Sequence, residues 1–336
     1  MTRTGKLTPI LISLFFCFFS STIYQSRRLT TNATVKDQTD KKNTNNKDEK
    51  KNGSESKVKE RPVIYTFFEL RKNENGKHVK EDEERHDLNM LSTWKQLWED
   101  AGWETRVLTL KDAKKHKDFE YFSKALLSSP LDPKKQKFYG GIYPESYNYL
   151  CFMRWLAMAS HGNGGFMSDY DTIPMGINPG IGLFLPSYGA FTSYDRHIPS
   201  LLSGTGEEWE RMSKLVLKKG VDEIKSNHGQ GNSKRRIYSD MLALKDIHTD
   251  SPMEYIQQPR TYLGLPYLKK NEVDCDGLKL LYVVHLSHHL CKQAVKEKLL
   301  DTPKGKYGNW LRPGWARELT QHWKEQCHQK EIKKRA

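Results

Sequence analysis

The sequence predicts an α/β domain in which a central, mostly parallel sheet is flanked by helices. Two observations lead to this fold class. Residues 62–110 read as a strand, a helix and a second strand, and residues 147–171 read as a buried helix followed by a strand that ends in two aspartates. Strands joined by a crossover helix pair in parallel, and ligands bind such sheets at the carboxyl ends of their strands.

The elements follow from the spacing of apolar residues. Residues 62–68 are a short apolar run bounded by charge, which predicts a buried first strand. After the charged loop 69–87, apolar residues recur at helical spacing over 88–103, and residues 104–110 alternate as a second strand. The later segments read as short helices at 111–127, an irregular loop at 130–144, a strand at 190–194, helices at 207–219 and 237–245, a mobile polar loop at 227–233, a strand at 279–286, and a final helix marked by Trp315, Leu319 and Trp323.

The most informative segment is residues 164–171, Gly-Gly-Phe-Met-Ser-Asp-Tyr-Asp. Side chains alternate along a strand, so Asp169 and Asp171 should point to the same side where the strand ends. Two carboxylates at such an edge suit Mg²⁺ or Mn²⁺, which commonly link protein carboxylates to a diphosphate. The pair therefore predicts a divalent cation site; the structural alternative is a solvated turn that caps the strand.

Residues 147–159 are apolar nearly all round and contain neither Pro nor Gly, which predicts a buried helix. Arg154 is its one charged residue, and a buried charge needs a partner. Asp169, Asp171 or a bound phosphate are the candidates. Residues 161–165 then break the helix and turn the chain into the strand.

This order of an arginine-bearing helix, a Gly-Gly turn and a strand ending in Asp-x-Asp resembles the glycosyltransferases with a sugar-binding Asp-x-Asp region. Arg154, Gly164, Gly165, Asp169 and Asp171 occupy the matching positions. The likeness extends over roughly residues 147–175, and the strand reads Phe-Met-Ser where relatives often have Ile-Tyr-Leu. The resemblance implies a GT-A-like nucleotide-sugar-binding domain, a Mn²⁺ or Mg²⁺ cofactor, and a UDP- or GDP-sugar donor.

The resemblance also implies roles for individual residues. Asp171 is expected to bind the metal directly, and Asp169 to bind the donor ribose or reach the metal through water. A late histidine commonly completes the metal shell in this type of fold. His285 is the matching position and His288 the next choice, against the alternative of an ordinary polar strand end.

The remaining roles concern the donor and the acceptor. Arg154 is expected to offset charge on the departing diphosphate, and Gly164 and Gly165 to belong to the donor-binding region. Asp240 is a candidate catalytic residue, either as a base or as a contact to donor or acceptor sugar, unless it is a helix N-cap or a surface carboxylate. Whether the anomeric configuration inverts or is retained stays open.

The N-terminus predicts membrane attachment. Residues 7–24 carry no charge, follow Arg3 and Lys6, and are near the lower limit for spanning a bilayer. A cleaved signal peptide is the alternative, but the poor cleavage site favours an uncleaved signal-anchor behind a cytosolic tail at residues 1–6. Residues 25–61 predict a disordered, Lys- and Asn-rich stem with N-glycosylation patterns at Asn32 and Asn52.

One anchor, a stem and a domain at residues 62–329, before a basic tail at 330–336, is the layout of Golgi glycosyltransferases. The expectation is a single-pass type II Golgi membrane protein with a lumenal catalytic domain, or a secreted form if the N-terminal segment is cleaved. The formal net charge of +14 is spread over many short runs. In a lumenal setting it favours acidic glycans or nucleotide diphosphates and no nucleic acid.

An oxidising lumen permits disulfides. Of the four cysteines outside the anchor, Cys151 is expected to be a buried thiol, and a bridge among Cys275, Cys291 and Cys327 is left unassigned. The function that these expectations favour is metal-dependent transfer of a sugar from a nucleotide diphosphate to a hydroxyl of a glycan or glycoprotein. A lumenal metal-dependent phosphoester hydrolase and a non-catalytic glycan-binding relative are the alternatives.

Overall fold

The computed structural model describes residues 60–71, 77, 81–128, 144–226, 238–262, 275–300, 302 and 307–328. The predicted anchor at 7–24, the loop at 227–233 and the basic tail at 330–336 lie outside these residues, as do all but the last two residues of the stem and nearly all of the loop at 130–144. In the part of the chain that is described, no helix combines the length and the apolar character needed to cross a bilayer.

Nine short strands occur among the described residues. They are β1 (Val63–Phe67), β2 (Glu104–Leu108), β3 (Gly165–Ser168), β4 (Thr172–Pro174), β5 (Thr192–Ser193), β6 (Leu201–Gly204), β7 (Ile256–Gln257), β8 (Thr261–Tyr262) and β9 (Val283–His285). Six form a central sheet in the order β2-β1-β3-β6-β5-β7, and three form a second sheet in the order β4-β9-β8. In the central sheet β6 runs antiparallel to β3 and β5, and the other three pairings are parallel.

Helices cover both faces of the central sheet, which confirms the α/β fold class. They are α1 (Glu81–Asp100), α2 (Leu110–Ala113), α3 (Phe119–Leu127), α4 (Tyr147–Ala159), α5 (Gly180–Leu183), α6 (Gly206–Ser226), α7 (Asp240–Asp250), α8 (Cys275–Lys279), α9 (His288–Lys296) and α10 (Arg312–Trp323). Short 3₁₀ segments lie at Pro186–Gly189 and Asn309–Leu311, and a π-helical turn lies at Lys324–His328.

Alternation along the central strands separates two cores. Ile64 of β1 and Phe166 of β3 pack with the buried tryptophans of α1, whereas the next residue of each strand packs with α4 and α6. In that second core Trp155 stacks on Phe191 with ring centroids 5.7 Å apart. The prediction of a buried helix over 147–159 is confirmed, and its bounds agree with α4.

Several element predictions are wrong in their limits: the helices predicted at 207–219 and 237–245 are α6 and α7, and the strand predicted at 190–194 is confined to β5. The helix predicted from residue 88 begins at Glu81, because acidic residues favour the first turn of a helix even where no apolar pattern marks it. The strand predicted over 279–286 is confined to β9, and His288 opens α9 rather than ending a strand. Ser287 caps that helix by accepting a hydrogen bond from the Leu290 amide at 3.4 Å.

A disulfide joins Cys275 of α8 to Cys327 of the π-helical turn, with the Cα atoms 5.2 Å apart. The sequence left open which two of Cys275, Cys291 and Cys327 form a bridge, and the structure pairs the first with the last. Cys151 and Cys291 are free thiols, half-buried and buried respectively. Burial raises the pKa of each to about 12, so neither is a reactive thiolate at neutral pH.

Candidate functional site

The turn between β3 and β4 holds the two aspartates, and it lies where the chain passes from one sheet to the other. The Asp169 amide donates to the Ser200 carbonyl at 3.0 Å, and the Thr172 amide donates to the Asp169 carbonyl at 3.0 Å. On the far side, β4 pairs antiparallel with β9 so that Thr172 lies opposite His285. The Leu286 amide donates to the Asp171 carbonyl at 2.9 Å, which closes the junction.

Asp169, Asp171 and His285 converge at this junction. Each offers one ligand atom, and these atoms lie within 4.8 Å of one another. His285 Nε2 is 3.4 Å from Asp171 Oδ1 and 3.9 Å from Asp169 Oδ2. The prediction that both acids point to the same side, with His285 beside them, is therefore confirmed in its geometry.

An arginine holds the other oxygen of each carboxylate. Arg154 Nη1 donates to Asp169 Oδ1 at 2.5 Å. Arg312 Nη2 donates to Asp171 Oδ2, and its side chain is only 1% exposed. Each aspartate thus has one oxygen fixed by a guanidinium and the opposite oxygen facing His285. Asp169 is one of the partners that the sequence offered for Arg154.

Asp240 supports Arg154 from behind. Its Oδ2 accepts from Arg154 Nε at 2.8 Å and from Trp155 Nε1 at 3.0 Å, and it also pairs with Arg154 Nη2. Its Oδ1 accepts from its own helix start, the Met241 amide, at 2.8 Å. Because both oxygens of this buried carboxylate are occupied, the structure does not support Asp240 as a base or sugar contact and makes it a residue that positions Arg154.

Asp195 stands behind His285. Its Oδ2 lies 3.7 Å from His285 Nδ1 and accepts a hydrogen bond from the Ser200 hydroxyl at 2.8 Å. Within the described residues the buried His285 Nδ1 has no hydrogen-bond partner. At this distance the Asp195 carboxylate makes no hydrogen bond to the ring, but its negative charge attracts a protonated His285 on the side of Nδ1.

His288 does not join the cluster. Its Nε2 lies 2.8 Å from Arg312 Nη1, and its ring nitrogens are not among the ligand atoms that group with Asp169 and Asp171. Burial and the adjacent Arg312 charge lower the pKa of His288 to about 4. His288, the next choice after His285, is therefore a partner of Arg312 and not part of the cluster.

Burial and neighbouring charges shift the pKa values of the cluster. Burial raises the pKa of Asp169, although the positive charge of Arg154 lowers it in part. Burial also disfavours the charged form of Asp171, but Arg312 and His285 outweigh it and lower the pKa of Asp171. For His285, burial opposes protonation, yet the carboxylates of Asp171 and Asp195 raise its pKa to about 10. Protonation of His285 would therefore compete with binding of a cation at its Nε2.

The donor set fits a divalent cation. Four carboxylates and two guanidinium groups surround the junction, which leaves about two negative charges uncompensated when His285 is neutral. In an octahedral Mg²⁺ site neighbouring ligand atoms lie about 3 Å apart. The distances of 3.4 and 3.9 Å from His285 Nε2 reach that spacing after a small contraction.

Gly164 and Gly165 lie at the start of β3, whereas the aspartates follow its end. Both have positive φ, 69° and 121°. A Cβ on Gly164 would lie 2.5 Å from the Gly204 carbonyl oxygen. Gly164 permits the close approach of the chain to the end of β6, and a side chain at Gly165 would face Tyr65 of β1 at 3.4 Å. The position of the two glycines does not support the expected part in donor binding.

Arg312 and Asp195 belong to the site but carried no recognisable sequence signal. Arg312 opens the last helix, 141 residues after the aspartate that it holds. Asp195 follows the strand predicted at 190–194, but nothing in the sequence indicated that it would lie beside His285. If Asp169, Asp171 and Asp240 lie close together, Arg154 alone does not balance three buried negative charges. That imbalance is the one signal that would have indicated a second arginine.

A second acidic group, His116, Asp118 and Glu210, also brings its ligand atoms together. Its charges are already matched: Glu210 pairs with His116 at 2.5 Å, with Lys117 at 3.2 Å and with Lys214 at 2.8 Å. These contacts give it the character of a surface ion-pair network.

The comparisons give a family without a known activity. The model of DUF8765, described as a domain of unknown function, matches residues 48–251. No curated protein and no solved structure matches the chain. The matched region contains Arg154, Asp169 and Asp171, while His285 and Arg312 lie beyond it. Since the match covers more than half of the 336 residues, the chain belongs to the DUF8765 family.

Proposed function

We propose that this protein is a metal-dependent glycosyltransferase that moves a sugar from a nucleotide diphosphate, a UDP- or GDP-sugar, to a hydroxyl of a glycan or glycoprotein. The observation that carries the proposal is the convergence of Asp169, Asp171 and His285 at the junction between β3, β4 and β9. This junction follows the carboxyl end of β3, where α/β sheets bind their ligands.

The donor set of the cluster supports a role in binding diphosphate. Carboxylates and an imidazole suit Mn²⁺ or Mg²⁺ better than soft metals. Such a cation, when bound, neutralises charge that develops on a diphosphate leaving group. With one oxygen of each aspartate fixed by Arg154 or Arg312, the opposite oxygens are held ready, which avoids reorganisation during the reaction.

The chain's own residues have distinct tasks in this scheme. Asp171 and His285 are the direct ligands, and Asp195 places a negative charge beside His285 Nδ1. Asp169 is more exposed than Asp171, with 27% against 12% of its side chain accessible, so it can also meet a donor ribose. Arg154 orients Asp169 and places a fixed positive charge beside the leaving group.

The protein's location forms part of the proposal. A catalytic domain in the Golgi lumen behind an N-terminal anchor would meet nucleotide sugars and glycoprotein acceptors together. The disulfide between Cys275 and Cys327 is consistent with an oxidising compartment.

The test is a donor screen with purified full-length protein. UDP- and GDP-sugars are incubated with 1 mM Mn²⁺, and release of UDP or GDP is measured with and without mixed glycan acceptors. The proposal expects release from at least one donor, loss of activity in excess chelator, and a fall of about a hundredfold or more in Asp171→Asn, because a direct metal ligand is removed. Asp222→Asn, at an exposed position on α6, should be unchanged.

The alternatives give different results in the same screen. Hydrolysis of simple phosphate monoesters without any use of nucleotide sugars would indicate the phosphoester hydrolase. Absence of turnover for all donors, with intact metal binding, would leave the glycan-binding relative. Activity that survives in Asp171→Asn or in chelator would refute the proposed mechanism.

A further inference from the structure

A cavity with a volume of about 480 Å³ lies at the opposite end of the central sheet from the cation cluster. The strand β6 runs between the cluster and this cavity. The Ser200 carbonyl before β6 bonds to Asp169, while Thr205 after β6 lines the cavity. Four strand residues span about 13 Å, so the cavity is a separate place on the molecule. Its volume is in the range of small-molecule sites.

One wall of the cavity is a fixed polar network. Arg211 donates to both oxygens of Glu208 at 2.9 Å, and to the Glu254 carboxylate and carbonyl at 2.5 and 2.6 Å. The Phe191 amide donates to Glu208 at 2.9 Å and fixes that carboxylate further. Two carboxylates and one guanidinium give this wall an excess of negative charge. It therefore disfavours anions and offers acceptors to hydroxyl groups.

Apolar groups line the same cavity. Tyr188 is fully exposed and Met253 is 86% exposed. Ser187 and Tyr188 have φ of 55° and 56°, in the left-handed region that bulky residues rarely adopt. The segment is held there by the Thr205 amide, which donates to the Gly189 carbonyl at 2.9 Å. A tyrosine is thus kept in water at a conformational cost, and such strain is found where a ligand is bound.

We propose that this cavity is a non-catalytic binding site for a neutral oligosaccharide. The apolar face of a sugar ring would pack on the exposed ring of Tyr188, and its hydroxyls would donate to Oε1 of Glu254, the carboxylate oxygen that Arg211 does not hold. An aromatic face beside pre-positioned planar polar groups is complementary to a molecule that has one apolar face and a rim of hydroxyls. This inference does not depend on the function proposed above.

The test measures binding with the full-length protein in chelator, so that catalysis plays no part. Lactose, N-acetyllactosamine, chitobiose and mannobiose are the neutral probes, and sulfated lactose is the charged one, with saturation-transfer NMR and calorimetry as readouts. At least one neutral disaccharide should bind with a Kd in the millimolar range or tighter. Tyr188→Ala and Glu254→Gln should each weaken it at least fivefold. Tyr121→Ala, which alters another exposed tyrosine, on α3, should not.

Four results would overturn the inference. The first is that none of the four neutral disaccharides binds. The second is that Tyr121→Ala weakens binding as much as Tyr188→Ala, and the third is that sulfated lactose binds as tightly as lactose. The fourth is loss of binding in Asp171→Asn, which would place the sugar at the cation cluster instead.

Discussion

Replacing Arg312 by methionine should destabilise the metal-free protein strongly. Arg312 donates to Asp171 and to the Leu286 carbonyl at 2.9 Å, and its side chain is 1% exposed. Methionine retains much of the buried volume but leaves Asp171 charged, nearly buried and close to Asp169. Breaking a buried pair in this way costs about 3–5 kcal/mol. At about 2 °C per kcal/mol for a domain of this size, Tm should fall by about 6–10 °C.

Mn²⁺ should recover part of that loss. Without Arg312 the junction has one more uncompensated negative charge, so the variant gains more than the wild type from a bound cation. A ligand at a hundred times its Kd contributes about 2.7 kcal/mol of stability. The difference in Tm between wild type and Arg312→Met, measured by calorimetry, should therefore be smaller in 1 mM Mn²⁺ than in EDTA.

Arg317→Met is the matched control. It lies on the same helix and, among the described residues, donates one hydrogen bond, to the Thr93 hydroxyl at 2.7 Å, and pairs with no carboxylate. Its loss should cost only about 1 kcal/mol and should not respond to Mn²⁺. The reasoning is refuted if Arg312→Met is as stable as Arg317→Met in EDTA, or if Mn²⁺ leaves the difference between wild type and Arg312→Met unchanged.

Three further predictions follow from particular residues. The raised pKa of His285, about 10, means that a cation must displace its proton, so calorimetry should show Mn²⁺ affinity rising about tenfold per pH unit between pH 6.5 and 8; a flat profile would contradict this. Gly164→Ala should lower the free energy of unfolding by about 2 kcal/mol or more, because its Cβ would meet the Gly204 carbonyl; a free energy of unfolding equal to that of the wild type, measured by chemical denaturation, would count against it. Tyr188→Gly should leave Tm unchanged or raise it, since relief of about 1 kcal/mol of backbone strain offsets the flexibility of glycine; a clear fall in Tm would be unexpected.

The sign of the His285 contribution to stability follows from the same shift. Its folded pKa lies above the ordinary value of 6.5, so the protonated ring stabilises the metal-free fold fully below about pH 6.5. That contribution is lost as the pH rises towards 10. Chemical denaturation in EDTA at pH 6 and pH 9 should show this loss, and His285→Gln should abolish it.

Sequence reasoning succeeded where the signal was continuous and local. The helix α4 is apolar along nearly its whole length and leads through a glycine turn into the short apolar strand β3, so both elements and a partner for Arg154 among the two aspartates could be predicted. The opening strand, helix and strand were predicted in the same way, although the start of the helix was not. In each case burial and periodicity act on neighbouring residues.

It failed where the fold depends on contacts between distant segments. Of the strands β4 to β8, which have two to four residues, only β5 was predicted, because runs this short show no clear period. Arg312 reaches Asp171 across 141 positions of the chain, and the occupation of both Asp240 oxygens by donors depends on packing of α7 against α4. His285 was found only because the resemblance implied a late histidine. The sequence analysis did not recognise Ser287 as a helix N-cap, so it did not predict that His288 begins a helix.

The central claim is that Asp169, Asp171 and His285 together hold one divalent cation. Electron paramagnetic resonance of Mn²⁺ added to the full-length protein at pH 8 measures this directly. We predict one bound Mn²⁺ per chain, a loss of affinity of more than about tenfold in Asp171→Asn and in His285→Gln, and no change in Asp118→Asn, which alters the second acidic group. Absence of Mn²⁺ binding by the wild type, unchanged affinity in Asp171→Asn, or loss of affinity in Asp118→Asn alone would contradict it.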